Sequence, residues 1–522
     1  MKNINIPSLK KTRVASIATS VLLTALVFSC NKTVDEPGAS INEPSNLDAN
    51  AGTWKPYILS SSSEVAVEAP KASNSAEYLA ELKKLKETSD NITADQRDKV
   101  NYWGAGAAYR WNEITRELAA RYNSPPASNA EGKYPVPDAA NPLAEPKFPF
   151  ANPPYTARAL AYVSVAQYDA LVATWNYKYK FNRKAPSKTD ATIKAILPVT
   201  DLPSYPSEVA VVAEASVVVL KAMFPGEIPF LDAKLAEHKN SRLWAGMNVE
   251  SDIAAGEALG KAVGAKIMAR GKTDGMSGAN NQAKTAELIA NAQKIGLKEV
   301  WLSQEFPKRP PMLPTYGTVL PWNFNSATIV TLRPGPPPAP ESKEFQDNLN
   351  ELLNIAKNQT REQARIASYW SDGVGSYTPP GHWFRRASVL THDNKYSEVR
   401  TARTFALLGT AMQDAGICCW DTKYYYYYPR PNQMSNKVKT SVGLPNFPSY
   451  TSGHSMFSGA AAEILSHIFP DQKEKLDAMA AEASVSRMYG LIHYRFDCEV
   501  GLATGHKVGN YSVQRAKTDG AE

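Results

Sequence analysis

Apolar residues recur three and four positions apart along most of this chain, and that spacing constrains the fold more than any other feature. It runs through "SAEYLAELKKLKE", "TADQRDKVNYWGAGAAYRWNEITRELAARY", "YTARALAYVSVAQYDALVATWNYK", "PSEVAVVAEASVVVLKAMF" and "NVESDIAAGEALGKAVGAKIMARG". Side chains so spaced share one face of a helix, whereas strands need alternation at every second residue. Alternating stretches are scarce, and no unit of roughly 20–50 residues repeats as it would in a solenoid or propeller. Thr93 and Gln96 have the spacing of a capping box at a helix start. The expectation is an all-α protein.

One stretch breaks the pattern. Residues 306–340 contain "FPKRPPMLPTYGTVLPWNF" and "RPGPPPAPES". This is too long for an ordinary connection, so it is expected to lie pinned over a surface. Helical spacing resumes at "KEFQDNLNELLNIAKNQTREQARIASYW". Two helical bundles follow from this: an N-terminal helical region over 76–339 and a C-terminal helical domain over 340–522. With 522 residues, 43% of them hydrophobic, the chain can bury a large core. The net charge of +7 is not gathered into a Lys/Arg-rich run, so nucleic acid is not an expected partner.

The first thirty residues read as an export signal. Lys2, Lys10, Lys11 and Arg13 precede "VASIATSVLLTALVFSC", which is too short for a typical membrane span. "LVFSC" resembles the lipobox of bacterial lipoproteins, with Cys30 as the lipidated first residue, although Phe28 departs from that pattern. The alternative is a plain secretory signal. The expectation is an exported protein, lipid-anchored in the envelope of a Gram-negative bacterium or else periplasmic or secreted. Membrane contact would come only through the lipid. Residues 31–75, with "SSSSE" inside them, are expected to be a flexible tether. Three further cysteines remain, Cys418, Cys419 and Cys498; one of the first two could bridge to the third in an oxidising compartment.

Three C-terminal segments gather chemistry. In "WDTKYYYYYPRPNQ", five tyrosines separate Lys423 from Arg430. Seven residues are about two helical turns, which would put both cations on one face, although Pro429 disfavours a helical Tyr428. Taken alone, such a pair is usually a solvated helix face. In "FPSYTSGHSMFSGAAAEILSHIF", Ser452, Gly453 and His454 stand where an apolar helix begins, and free N–H groups at a helix start favour an anion. In "SRMYGLIHYRFDCEVG", Arg487 precedes His493 and Asp497, which are one turn apart. Two arginines, a lysine and two histidines suit a tetrahedral oxyanion, because guanidinium forks and ammonium groups neutralise its oxygens.

These segments resemble the vanadium-dependent haloperoxidases and type 2 phosphatidic acid phosphatases, which share K-x6-RP, P-S-G-H and S-R-x5-H-x3-D in this order. The first and third motifs fit without change. In the second, Tyr450 to Ser452 intervene between Pro448-Ser449 and Gly453-His454, so only Ser452-Gly453-His454 carries over. "NQTREQARIASYWSDG" and "PPGHWFRRA" extend the likeness toward bacterial haloperoxidase-like proteins. The resemblance implies an oxyanion held by Lys423, Arg430 and Arg487, with Ser452 and Gly453 donating further hydrogen bonds. It implies His493 as the vanadium ligand of a peroxidase or the nucleophile of a phosphatase, and His454 as the general acid–base. Asp372 of "YWSDG" is the expected partner orienting His454.

Trp420, three before Lys423, and Phe447, seven before His454, have the offsets of the aromatic residues on the halide side of fungal chloroperoxidase-like members. The implied function is a vanadate-dependent haloperoxidase using hydrogen peroxide to oxidise halide, with vanadate as cofactor. The alternative is a secreted acid phosphatase acting on a phosphate ester through a phosphohistidine, without a cofactor. A third reading, a surface protein that binds phosphate or a glycan, gives no use to two site histidines. His238, His382, His392, His467 and His506 are expected to be structural.

Overall fold

The two longest helices among the described residues stand at the centre of the fold. In the computed structural model, which describes residues 39–522, helix α1 (Pro153–Phe181) and helix α4 (Glu398–Tyr426) each run for 29 residues and are buried on nearly every side. A helix that is apolar all round belongs inside a protein. The two lie against each other so closely that a Cβ at Gly409 of α4 would sit 2.9 Å from Ala161 Cα. Around them stand α2 (Arg361–Tyr369), α3 (Thr378–Asp393), α5 (Gly453–Ile468), α6 (Lys473–Tyr489) and α7 (Arg495–Ala516), which build the site, and the further helices of 76–339. No strand occurs among the described residues.

The two helical groups on either side of 306–340 meet along α1 and α4 and share one hydrophobic core. The division expected there does not separate two bodies: Ile41–Glu522 is one compact unit. The export signal and Cys30 lie outside the described residues. No helix among the described residues is long and apolar enough to cross a membrane.

The expected tether is corrected where it is described. Residues 41–75 pack onto the helices, with Trp54 and Leu59 buried. The cause is a buried carboxylate in α1 that needs donors. Asp169 accepts the N–H groups of Tyr57 and Ile58, each at 2.7 Å, and of Leu59 at 3.1 Å. Asp48 accepts from Ser397 Oγ at 2.6 Å and pairs with Arg400. The Arg515 guanidinium stacks 3.4 Å from the centre of the Tyr57 ring.

The proline-rich stretch is pinned as expected, and the tyrosine run does the pinning. Proline has no N–H, so such a segment offers carbonyls and must find donors elsewhere. The hydroxyls of Tyr424, Tyr426 and Tyr428 donate to the carbonyls of Met312 (2.6 Å), Pro334 (2.8 Å) and Pro338 (2.7 Å). Tyr450 adds a bond to Gly335 O at 2.8 Å. Asp414 of α4 accepts the N–H groups of Trp322 (2.8 Å) and Asn323 (3.0 Å). Tyr425 is the exposed member of the run, with Arg333 over its ring at 3.8 Å.

Helices α5 and α7 approach backbone to backbone. Gly505 and Gly509 of α7 face α5, where a Cβ at Gly505 would overlap the Met456 carbonyl and one at Gly509 would lie 2.7 Å from Ala460 O. Gly459 of α5 answers them, its side facing Leu502 O. Cys418, Cys419 and Cys498 are all buried free thiols, so the bridge considered from the sequence is absent.

Candidate active site

Five elements deliver the expected residues to one buried place. Lys423 lies in the last turn of α4, His454 is the second residue of α5, and Arg487 stands near the end of α6. His493 precedes α7, and Asp497 lies in its first turn. Lys423 and Arg430 do not share a helix face as expected. The helix stops at Tyr426, Tyr427 takes a left-handed conformation (φ 51°, ψ 36°), and Arg430 is extended. Pro429 is the reason, since it excludes a helical Tyr428. The turn still brings both cations to the Phe447 ring, 4.9 Å from Lys423 Nζ and 5.1 Å from the Arg430 guanidinium.

The cations are held by neutral acceptors. Lys423 Nζ donates to Pro448 O and Ser449 O, both at 2.8 Å. Arg430 donates through Nε to Phe447 O at 3.0 Å and through Nη1 to Ile492 O at 2.8 Å, while its buried Nη2 has no partner. Arg487 donates to Ser486 Oγ at 2.9 Å and Ala367 O at 3.0 Å. Burial makes these charges expensive. It pulls Lys423 down to about 7, with Arg430 adding to the effect, and pulls Arg430 and Arg487 down to about 10 each. Burial likewise holds both site histidines well below the ordinary imidazole value, reinforced by Arg487 at His454 and by Arg430 and Lys423 at His493.

Asp497 is the buried carboxylate of the cluster. Its Oδ2 accepts from His493 Nδ1 (2.8 Å), Ser449 Oγ (2.5 Å) and Tyr494 N–H (3.2 Å). Burial raises its carboxyl to about 6, opposed by the Ser449 hydroxyl and by Lys423. With Nδ1–H donated to Asp497, the Nε2 lone pair of His493 faces Arg430 Nη1 at 3.5 Å.

Two expected roles change. Ser452 caps α5, its hydroxyl accepting Ser455 N–H at 3.3 Å, and its own N–H goes to Asp497 O at 3.0 Å. Its N–H is therefore not left for a ligand. Ser449 is the serine at the site, 3.3 Å from His493 Nδ1 as well as bonded to Asp497. The inserted Tyr450–Ser452 is buried, with the Tyr450 hydroxyl on the proline-rich stretch, and Ser449 stays beside His493. The signal was the Pro-Ser pair itself in "PSYTSGH". Gly453 remains at the site, where a Cβ would meet only the Trp420 ring, at 3.9 Å.

Asp372 does not orient His454. Its backbone turns through φ 41°, and the carboxylate takes His382 Nδ1 at 3.2 and 3.3 Å. At His454 the nearby Trp370 and Ser371 backbone opposes the lowering caused by burial and Arg487. The Nε2 of His454 is buried without a partner. Trp420 and Phe447 pack against each other with ring centres 4.9 Å apart, and Trp420 Nε1 donates to Met312 O at 3.3 Å. The other histidines lie elsewhere: His238 is stacked on Trp103, His467 pairs with Glu522 and His506 with Glu463.

The donor set fits a tetrahedral oxyanion. Three buried cations form no ion pair among the described residues, Arg430 Nη2 and His454 Nε2 are orphaned, and Gly453 leaves room. A buried polar atom without a partner implies one that the site is built to receive.

No curated protein matches the chain. The model of the PAP2 superfamily matches residues 404–519, which hold Lys423, Arg430, His454, Arg487, His493 and Asp497. Among solved structures, a bacterial vanadium-dependent iodoperoxidase matches with TM-score 0.57 and 22% identity over 81% of this chain and 97% of its own. A bacterial vanadium-dependent chloroperoxidase in holo form matches with TM-score 0.50 and 12% identity, over 75% and 98%. Residues 404–519 thus match the PAP2 superfamily, in a helical fold shared with a bacterial vanadium-dependent iodoperoxidase.

Proposed function

We propose that the protein is a vanadate-dependent haloperoxidase, oxidising halide with hydrogen peroxide. The observation that carries this reading is the convergence of Lys423, Arg430 and Arg487, all buried and without carboxylate partners, on two imidazoles, one with an unpartnered Nε2 (His454) and one whose Nε2 faces Arg430 (His493). Lys423, Arg430 and Arg487 would hold the oxygens of vanadate and His493 Nε2 would bind vanadium; vanadate so held supplies the centre at which peroxide is activated toward halide. Asp497 keeps the proton on His493 Nδ1, which fixes the ring and leaves Nε2 as the ligand atom. His454, neutral because burial and Arg487 lower its basicity, takes a proton from hydrogen peroxide at Nε2 and returns it to the departing oxygen. The Trp420–Phe447 wall supports a peroxidase over a phosphatase, since it lines the pocket with polarisable rings beside the cations.

The test is bromide and iodide oxidation by the purified protein with peroxide, with and without orthovanadate, beside hydrolysis of p-nitrophenyl phosphate. Vanadate-dependent halide oxidation is expected. Ester hydrolysis without halide oxidation would make it an acid phosphatase, and oxyanion binding with neither turnover would make it a binding protein.

A further inference from the structure

Away from the oxyanion site, residues 124–150 and the start of the proline-rich stretch enclose a cavity of about 680 Å³. That is the size of a small-molecule site. Its floor comes from α1 and from the helices Glu208–Met223 and Glu250–Gly271. A connection as long as 124–150 is uncommon in a folded domain unless it serves a function or stays disordered. Here it is fixed: the Tyr134 hydroxyl donates to Pro307 O at 2.7 Å, and Ala151 N–H to Tyr122 O at 2.9 Å.

The wall is mostly apolar. Met223, Met268, Met276 and Met312 line it, and unbranched thioethers adapt to the shape of what they touch. Its charges are all of one sign. Arg158, Lys272 and Arg309 face the cavity, with no Asp or Glu on the wall among the described residues. Arg309 is paired with Glu305. Arg158, buried in α1, donates through Nε to Asp274 and through Nη2 to Gly271 O, each at 2.7 Å. Its Nη1 has only the Met223 sulfur among the described residues, at 3.1 Å. A thioether is a weak acceptor, so Nη1 keeps donor capacity for an anionic oxygen. Lys272 follows Gly271 in the chain and forms no ion pair among the described residues. Lys272, Ala222 and Val136 are exposed members of the wall, so the cavity opens to solvent.

We infer that this cavity binds an apolar organic anion, its acid group against Arg158 and Lys272 and its body among the methionines and prolines. Met312 sets that molecule beside the aromatic wall of the oxyanion site. It lines the cavity, its carbonyl accepts from Trp420 Nε1 at 3.3 Å and the Tyr424 hydroxyl at 2.6 Å, and its N–H donates to Asn446 O at 3.1 Å. Binding here does not depend on the reaction proposed for the oxyanion site.

The experiment is fluorescence titration of the purified protein with anilinonaphthalene sulfonate, an apolar aromatic anion, and with N-phenylnaphthylamine, which has the same rings without the charge. The native protein should bind the sulfonate at one site per chain and more tightly than the neutral probe. Lys272→Met should weaken the sulfonate about two- to fivefold and leave the neutral probe unchanged. Ala222→Trp, which puts an indole into the mouth from an exposed position, should weaken both by roughly 10–100-fold. If it does not fold, Ser277→Trp, also exposed on the wall, carries the same test. Lys423→Met should bind the sulfonate as the native protein does; loss of binding there would place the probe in the oxyanion site and overturn the inference. So would no binding of the sulfonate, equal affinity for both probes with Lys272→Met affecting neither, or native affinity in the tryptophan variant. Sedimentation of the native protein and Ala222→Trp runs alongside. A dimer that the variant breaks would give the mouth to a second copy of the chain and overturn it equally. No arm uses peroxide, halide or ester, so an inactive native protein would refute the proposed function while the titrations still decide this site.

Discussion

On the proposed function, Lys423 makes oxyanion binding a proton-linked event. Burial, with Arg430 beside it, holds its free ammonium at about 7 in place of 10.5. A dianion arriving against it restores the charged form and lifts the value back toward or beyond the ordinary one. At pH 9 only about 1% of the free protein would have Lys423 charged, so binding must take up close to one proton. Affinity should then fall about fivefold between pH 7 and 8 and about ninefold between pH 8 and 9, roughly 50-fold in all, or about 2 kcal/mol. Sulfate is the right probe, because this tetrahedral dianion keeps its charge over the whole range. Calorimetric titration at pH 6, 7, 8 and 9, in two buffers with different ionisation heats, counts the protons directly. Uptake should rise from about half a proton at pH 7 to about one at pH 9. Lys423→Met should bind more weakly and lose the slope, because Arg430 and Arg487, at about 10, stay charged until higher pH. A native affinity that is flat from pH 7 to 9, or a slope that survives in Lys423→Met, would refute the reasoning.

Four further outcomes are expected. Ser449→Ala should weaken oxyanion binding and turnover by loosening His493, whereas Ser452→Ala should cost about 1 kcal/mol of stability through its lost cap and leave sulfate affinity intact; titration and melting of both variants separate the two serines. Gly505→Ala should force α5 and α7 apart at a cost of roughly 1–3 kcal/mol and reduce turnover by shifting His454 against His493, which melting and peroxidase assays would detect. Asp414 is raised by burial to about 7, so its contribution to stability is complete below about pH 4 and is lost as pH rises through 7; melting curves should show the native protein losing stability relative to Asp414→Asn across that window. Tyr428→Phe should cost about 1–3 kcal/mol by leaving the Pro338 carbonyl unsatisfied, while Tyr425→Phe, at an exposed position, should change the melting temperature little.

What could be read from the residues was whatever depends on local spacing. Helical period placed α1 and α2, and the motif order named the three cations, two imidazoles and Asp497 that the fold brings together. Where a role depended on the path of a loop, spacing was not enough. Three inserted residues moved the serine at the site from Ser452 to Ser449. A left-handed turn at Asp372 sent its carboxylate to His382. Pro429 ended α4 and replaced a shared helix face by a bend that reaches the same point. The stretch 41–75 looked like a tether because its polar composition says nothing of a buried Asp169 more than a hundred residues away that needs its N–H groups.

The proline-rich stretch has a consequence for resistance to proteases. Long segments without regular structure are where proteases cut, because cleavage needs backbone that can be drawn out into an enzyme's cleft. Here each carbonyl taken by a tyrosine hydroxyl must be released before the chain can be drawn away, and the donors stand on the helix that carries Lys423, in the turn leading to Arg430 or, for Tyr450, next to Ser449. Nicking within 306–340 therefore requires loosening the framework of the oxyanion site, and resistance to digestion becomes a gauge of whether that framework is intact.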